Sequence, residues 1–234
     1  MKECRLSVII PTLNEEKAIG KCLGAVERAG ERDLREVIVV DGGSTDRTLD
    51  IPDKFQQVRV VSSPPGRGVQ MNRGAREAAG SVLLFLHADV VLPPKAGTLI
   101  REALADTAVA GGWFRIRTTV PPGRGWIYRA LVSTANWRSR FGRYPYGDQA
   151  VFVRRGVFEK MGGFAEIPIM EDIEFSRRLR REGRLARIGA CVEVSGRRWE
   201  RSLFKNAVKL KLLPLLYRLG VSPETLTRFY GEVR

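Results

Sequence analysis

Val82-Leu83-Leu84-Phe85-Leu86-His87-Ala88-Asp89-Val90 is the stretch on which the fold turns. The apolar run Val82 to Leu86 reads as a strand buried on both faces, as in a parallel sheet covered by helices. The run delivers one carboxylate, Asp89, shortly before the breaker pair Pro93-Pro94. Open α/β sheets bind ligands in the crevice beyond the carboxyl ends of their strands. A carboxylate there either holds a divalent cation against a substrate phosphate or caps a turn. The strand alone leaves both readings open.

Outward from this strand, the chain alternates. Leu6 to Ile10 reads as a first buried strand ended by Pro11. Asn14-Glu15-Glu16 then opens a helix to about Ala29, with Asn14 as N-cap and acids in the first turn. Glu36 to Val40 is a second strand, ended by Asp41-Gly42-Gly43; Ser44 or Thr45 opens a short helix that Pro52 stops. Val58 to Val61 is a third strand, and Arg67 to Ala79 a helix ended by Gly80. This alternation predicts an α/β fold with a Rossmann-like, mostly parallel central sheet and helices on both faces. Beyond residue 108 the spacing changes. Val109 to Thr119 reads as a longer strand carrying Gly111-Gly112, and Trp126 to Phe141 as an aromatic-rich helix. Gln149 to Arg154 is a strand, Glu171 to Glu182 a helix and Leu185 to Val194 a strand. The expected organisation is one domain over 1–196, with halves 1–108 and 109–196, and a basic helical tail over 197–234.

Among the 234 residues, 40 Lys and Arg stand against 26 Asp and Glu, a formal charge of +14. That excess implies an anionic partner: nucleic acid, an acidic lipid surface or a phosphorylated substrate. Arginine dominates, which favours planar, bidentate phosphate contacts. Cys4, Cys22 and Cys191 are far apart and suggest neither a disulfide framework nor a zinc site. No secretory leader or 18-residue apolar segment is read, so a cytoplasmic location is expected.

Five constellations carry chemistry. Thr12, Asn14 and Glu15 follow strand one, where a helix N-terminus favours negative charge or merely caps itself. Asp41, Gly43 and Ser44 follow strand two. There Asp41 accepts from a base or ribose, or the segment is only a strand-to-helix turn. Arg67 and Asn72 lie in Gly66-Arg67-Gly68-Val69-Gln70-Met71-Asn72-Arg73, suited to a base or pyrophosphate. Glu171 and Asp172 open a helix, as good helix electrostatics or as a source of a general base. Arg198-Trp199 can pin a phosphate or stack on a ring. No GxGxxG follows a strand and no GxxxxGK[ST] occurs, so dinucleotide and P-loop sites are not indicated.

In this order and spacing, the residues resemble family 2 glycosyltransferases of the GT-A fold over roughly residues 5 to 200. Leu86-His87-Ala88-Asp89, Gly147-Asp148-Gln149, Met170-Glu171-Asp172 and Arg197-Arg198-Trp199-Glu200 look like a small bacterial subgroup associated with radical-SAM and selenodomain proteins. The resemblance implies inverting transfer of one sugar from a nucleotide-diphosphate donor, most readily UDP-linked. Its implied nucleotide contacts are Thr12, Asn14, Glu15, Asp41, Gly43, Ser44, Arg67 and Asn72. Asp89 matches the last acid of the DxD metal motif, so a divalent cation, Mn²⁺ or Mg²⁺, is implied. His87 replaces the first acid of that motif and is either a second ligand, a hydrogen bond to ribose or structural. Asp172, beside Glu171, matches the proposed base. Asp148, Gln149, Arg198 and Trp199 are implied on the acceptor and diphosphate side. Ser195 stands where processive relatives carry Gln, which speaks against polymer synthesis. Rival readings are a sugar nucleotidyltransferase and a non-catalytic basic binder of nucleic acid or lipid; a nucleic-acid partner is not expected.

In the tail, Arg201, Lys205 and Lys209 share one helix face, among many leucines, and Pro214 should kink the helix. Such a helix either lies in the headgroups of an acidic membrane or packs back on the domain. The first alternative would make the chain peripheral to the membrane and suit a lipid-linked acceptor.

Overall fold

Successive side chains of a strand point to opposite faces, and here both faces are apolar. In β1 (Leu6–Thr12), Val8 and Ile10 join one core and Ile9 the other. β4 (Val82–Phe85) repeats the division, with Leu84 on one side and Leu83 and Phe85 on the other. Two apolar faces need two covers. α1 (Ile19–Gly30) and α3 (Ala96–Ala103) cover the first with Ile19, Leu23, Val26 and Ile100. α2 (Arg67–Glu77), α5 (Arg155–Lys160) and α6 (Glu171–Glu182) cover the second with Met71, Phe158, Phe175 and Leu179. Burial of each large side chain contributes about 1.5–3 kcal/mol. The structure, a computed structural model, describes residues 4–30, 33–120, 123, 125–141, 145–195 and 212–230.

The remaining strands are β2 (Leu34–Asp41), β3 (Val58–Ser62), β5 (Val90–Val91), β6 (Val109–Thr118), β7 (Val151–Arg154) and β8 (Arg184–Val194). Across the sheet the order is β3-β2-β1-β4-β7-β6-β8-β5. β1 lies between β2 and β4, all parallel, with Thr12 paired to Asp41. The sheet is mostly parallel, but three of its seven pairings are antiparallel, because β7 runs against both β4 and β6 and β5 runs against β8. One sheet therefore spans both halves of the chain. Gly111 and Gly112 permit this: side chains there would collide with the carbonyl oxygens of Phe152 in β7 and Ala186 in β8.

Several boundaries differ from expectation. The first helix begins at Ile19, not Asn14, because Asn14 adopts a left-handed φ of 55° and turns its side chain to the neighbouring loop. Instead of a helix from Ser44, a 3-10 turn runs over Arg47–Asp50, capped by Asp46, whose Oδ1 accepts from Thr48 N at 2.9 Å. Pro52 opens a second 3-10 turn. α2 ends at Glu77, since Ala78 is extended. β5, α3 and α5 were not anticipated; their segments are too short for periodicity to reveal. The aromatic helix α4 (Trp126–Phe141) and α6 match their expected spans.

At the C-terminal side, residues 212–218 are helical and α7 (Pro223–Tyr230) follows. Leu213 and Leu226 bury against Ile169, so this part packs back on the domain. Residues 196–211, which hold Arg198, Trp199 and the Arg201-Lys205-Lys209 face, lie outside the described residues.

Candidate active site

The carboxyl ends of β1 and β2 continue into two loops that fold as one unit. Asp41 Oδ2 accepts from Gly43 N and Ser44 N, each at 2.9 Å, and its Oδ1 accepts from Ser44 Oγ at 2.5 Å. Asn14 N donates to Ser44 Oγ at 2.9 Å, and Asn14 Oδ1 accepts from Thr45 N at 2.9 Å. Glu15 N donates to Thr48 Oγ1 at 2.7 Å. The Asp46 carboxyl is held below its ordinary range: burial works against this, but hydrogen bonds from Thr48 and Glu16 outweigh it. Thr12 lies buried under the unit, its carbonyl accepting from Gly42 N and Gln70 Nε2, each at 2.9 Å. The structure thus brings together Thr12, Asn14, Glu15, Asp41, Gly43 and Ser44. Asp41 braces its own loop through both oxygens.

Gln70 was not singled out as a site residue. Its Nε2 also donates to Val40 O at 2.8 Å, tying the ends of β1 and β2 to α2. Asn72 does not join the loops. Its amide is buried and ties α2 to Phe164, donating to the carbonyl at 2.9 Å and accepting from the N–H at 2.8 Å.

A second group forms where β4 ends. His87 O accepts from Val90 N at 3.0 Å, closing a turn, and the imidazole faces the Gly147-Asp148-Gln149 turn. A Cβ on Gly147 would stand 2.8 Å from His87 Nε2 and 3.5 Å from Asp172 Oδ2, so only glycine fits without displacement. Gly147 N donates to Asp172 Oδ2 at 2.7 Å, and Asp172 Oδ1 accepts from Ile173 N at 2.8 Å. Phe85, His87, Glu171, Asp172 and Phe175 line one narrow cleft there. Asp148 is half-buried on the same turn. Gln149 braces it, its Oε1 accepting from Tyr146 N at 2.8 Å.

Met170, in the left-handed region at φ 69°, turns the chain sharply into α6. Such a conformation persists only where packing over-determines it, and Met170 packs against the Ile169-Leu213-Leu226 cluster. Glu171 is consequently 3% exposed, and Arg67 Nη1 approaches its Oε1 at 3.7 Å. Burial pushes the Glu171 carboxyl up to about 7; Arg67 opposes the shift and the Asp172 charge adds to it.

Asp89 is half-buried beyond the turn, and its carbonyl accepts from Ser195 N at 3.4 Å through the β5–β8 pairing. Among the described residues, no group of three His, Cys, Asp or Glu is placed to hold a metal. Asp89 fits a cation shared with a substrate: magnesium-type sites commonly use one or two carboxylates plus phosphate oxygens and water. Cys22 is buried nearby, its Sγ 3.7 Å from His87 O, and burial, then Asp89 and Glu15, push its thiol pKa up, which makes it an inert thiol.

Residues 7–164 match the family model described as glycosyl transferase family 2. The chain belongs to that family. A relative from Mycobacterium bovis strain BCG, named "PGL/p-HBAD biosynthesis glycosyltransferase", is 32% identical over 231 residues, covering 92% of this chain and 86% of the relative. A Bacillus subtilis relative is matched over only 47% of its own length. Among solved structures, Pyrobaculum calidifontis mannosyltransferase PcManGT superposes with a TM-score of 0.66 at 18% identity, covering 96% of this chain and 67% of that one. Staphylococcus aureus TarS 1-349 gives 0.62 at 20% identity, covering 88% and 65%. These likenesses establish the GT-A architecture. In the described part of this transferase, no helix is long and apolar enough to cross a membrane.

Proposed function

We propose that the transferase moves a single sugar from a nucleotide-diphosphate donor to an acceptor hydroxyl, with inversion. The observation that carries this is the placement of Asp172, held by Gly147 N, in a cleft beside Glu171, which Arg67 approaches at 3.7 Å. The TarS 1-349 structure is a complex with UDP-GlcNAc, and that of PcManGT a complex with GDP-Man and Mn²⁺. They support a nucleotide-sugar donor; UDP is the nucleotide we favour. Thr12, Asn14, Glu15 and the Asp41-Ser44 turn form the nucleoside side, and Arg67 steadies the diphosphate. Asp89 would hold a divalent cation, which when bound neutralises charge on the departing diphosphate. Asp172 takes the proton of the acceptor hydroxyl as that oxygen attacks the anomeric carbon from the face opposite the diphosphate. The loss of the diphosphate inverts the centre without a covalent enzyme intermediate.

The acceptor is proposed to be lipid-linked, with the chain peripheral to an acidic membrane. Leu212, Leu215 and Leu219, at helical spacing, are 45%, 51% and 73% exposed, which supports that reading. Membership of the radical-SAM-associated subgroup is likewise proposed, on the four motifs quoted above. The test is incubation with a panel of UDP- and GDP-sugars and analysis of the released nucleotide and anomeric configuration. Release of a nucleoside diphosphate is expected; release of pyrophosphate, or no turnover with any donor, overturns the proposal.

A further inference from the structure

Arg67 and Glu171 come from opposite halves of the chain and meet as an ion pair, with Glu171 on the cleft wall. Arg67 opens α2, behind the loop that leaves β3; Glu171 opens α6, beside Asp172. The guanidinium side chain is 24% exposed and the carboxylate side chain 4%, and their 3.7 Å separation exceeds the ~2.7–2.9 Å of a close charge-assisted hydrogen bond. The charged groups that act on Glu171 are Arg67, of opposite sign, and Asp172, of like sign; His87 lines the same cleft from the end of β4. Arg67 is thus the counter-charge of a carboxylate that water hardly reaches.

A diphosphate offers paired oxygens that match the fork of a guanidinium better than one carboxylate oxygen at this distance. A buried carboxylate that loses its cation is left uncompensated, and such groups neutralise by taking a proton.

We propose that Arg67 is a shared cation: Glu171 holds it in the free protein, the diphosphate of an incoming nucleotide sugar takes it over, and donor binding therefore brings a proton from solvent onto Glu171. This rests on the nucleotide-sugar function proposed above. The seated donor then faces a neutral Glu171 beside Asp172, so the two neighbouring carboxyls take different roles although they share one helix turn. Uptake requires that Glu171 be ionised beforehand. It is therefore expected above about pH 7, where burial has placed its titration, and fades below that as the free protein already carries the proton.

Isothermal titration at pH 8 with magnesium present, in HEPES and in Tris, counts the protons taken up, because these buffers differ in ionisation enthalpy. The probes are UDP-GlcNAc and GDP-mannose, whose diphosphate diesters do not titrate near neutrality. Uptake approaching one proton per bound donor is expected for the unmodified protein, with Kd rising by up to about tenfold per pH unit above pH 7. Glu171→Gln should bind with no uptake. Arg67→Met should bind more weakly, again with no uptake. Donor binding by the unmodified protein without proton uptake, or undiminished uptake in Glu171→Gln, overturns this inference alone. Failure of both nucleotide sugars to bind overturns the nucleotide-sugar function and this inference with it.

Discussion

The main-chain N–H of Gly147 donates to Oδ2 of Asp172 at 2.7 Å, and the space a side chain would need at Gly147 is taken by the His87 imidazole. Three segments distant in sequence meet at that point. Gly147→Ala should therefore displace either His87 or the Asp172 carboxylate. A fall of about 10²-fold in kcat, the scale of a small misplacement, is expected with little change in donor affinity. Steady-state kinetics beside equilibrium donor titration separate the two; a pure loss of affinity would refute the positioning role.

Asp172→Asn should leave donor binding nearly intact and lower kcat by roughly 10²- to 10⁴-fold, the usual range for a lost general base. Rapid-quench single turnovers measure the chemical step directly. If Asp172→Asn is mild and Glu171→Gln severe in the same assay, the base is Glu171.

Asp89→Ala should abolish transfer and the metal-dependent part of nucleotide binding while the fold persists. The Cys22-to-His87 and Ser195-to-Asp89 bonds both end on main-chain carbonyls and do not use the carboxylate. Thermal shift with nucleotide sugar, with and without Mn²⁺, gives the readout, since a ligand that binds only the folded state raises its apparent stability. A variant with normal turnover would remove the metal from Asp89.

Glu36 gives a pH-dependent term in stability. Its Oε1 accepts from Ser7 Oγ at 2.8 Å and Ala79 N at 2.6 Å, and Arg59 pairs with Oε2 at 3.3 Å. Burial works against the charge, but these bonds outweigh it and hold the carboxyl below its ordinary value. A depressed folded value means the contribution is present above the unfolded value of ~4.3 and is lost as pH falls through the folded value. Glu36→Gln should cost about 1 kcal/mol at pH 7. Denaturant melts at pH 7 and pH 3 should show the gap between the two proteins narrowing in acid; a constant gap would mean the charge is irrelevant.

The C-terminal part offers a sharper choice. Leu213 buries against Ile169 while Leu212, Leu215 and Leu219 stand exposed. On phosphatidylglycerol liposomes at low salt, the intact protein should float, and Lys205, Lys209 and Lys211 changed together to Glu should abolish this. Each basic residue near such a surface contributes about 1 kcal/mol. No flotation, or flotation unaffected by the charge reversal, removes the membrane from the proposed function.

Much of the architecture was legible in the amino-acid order because it depends on local chemistry. Val82 to Leu86 lacks any polar residue, so it had to be covered on both faces, and helices on both sides followed. The spans of α4 and α6 were readable because long periodic segments carry their own signal. The glycines and acids after β1 and β2 marked the loops, though not that Asp41 would spend both oxygens on its own turn. The tertiary structure alone decided what depends on distant contact. Nothing local to Val151–Arg154 says that it inserts antiparallel between β4 and β6, since register and direction are set by the partners on either side. The partners of Asn72 and Gln70 were hidden for the same reason: each amide answers to whichever carbonyl the fold brings near. Glu171 and Asp172 are adjacent and chemically alike in sequence. Met170's left-handed turn, held by apolar packing from the C-terminal segment, buries the first against Arg67 and sets the second under the Gly147 N–H. Burial and counter-charge arise only between segments, and they are what give the two acids different surroundings.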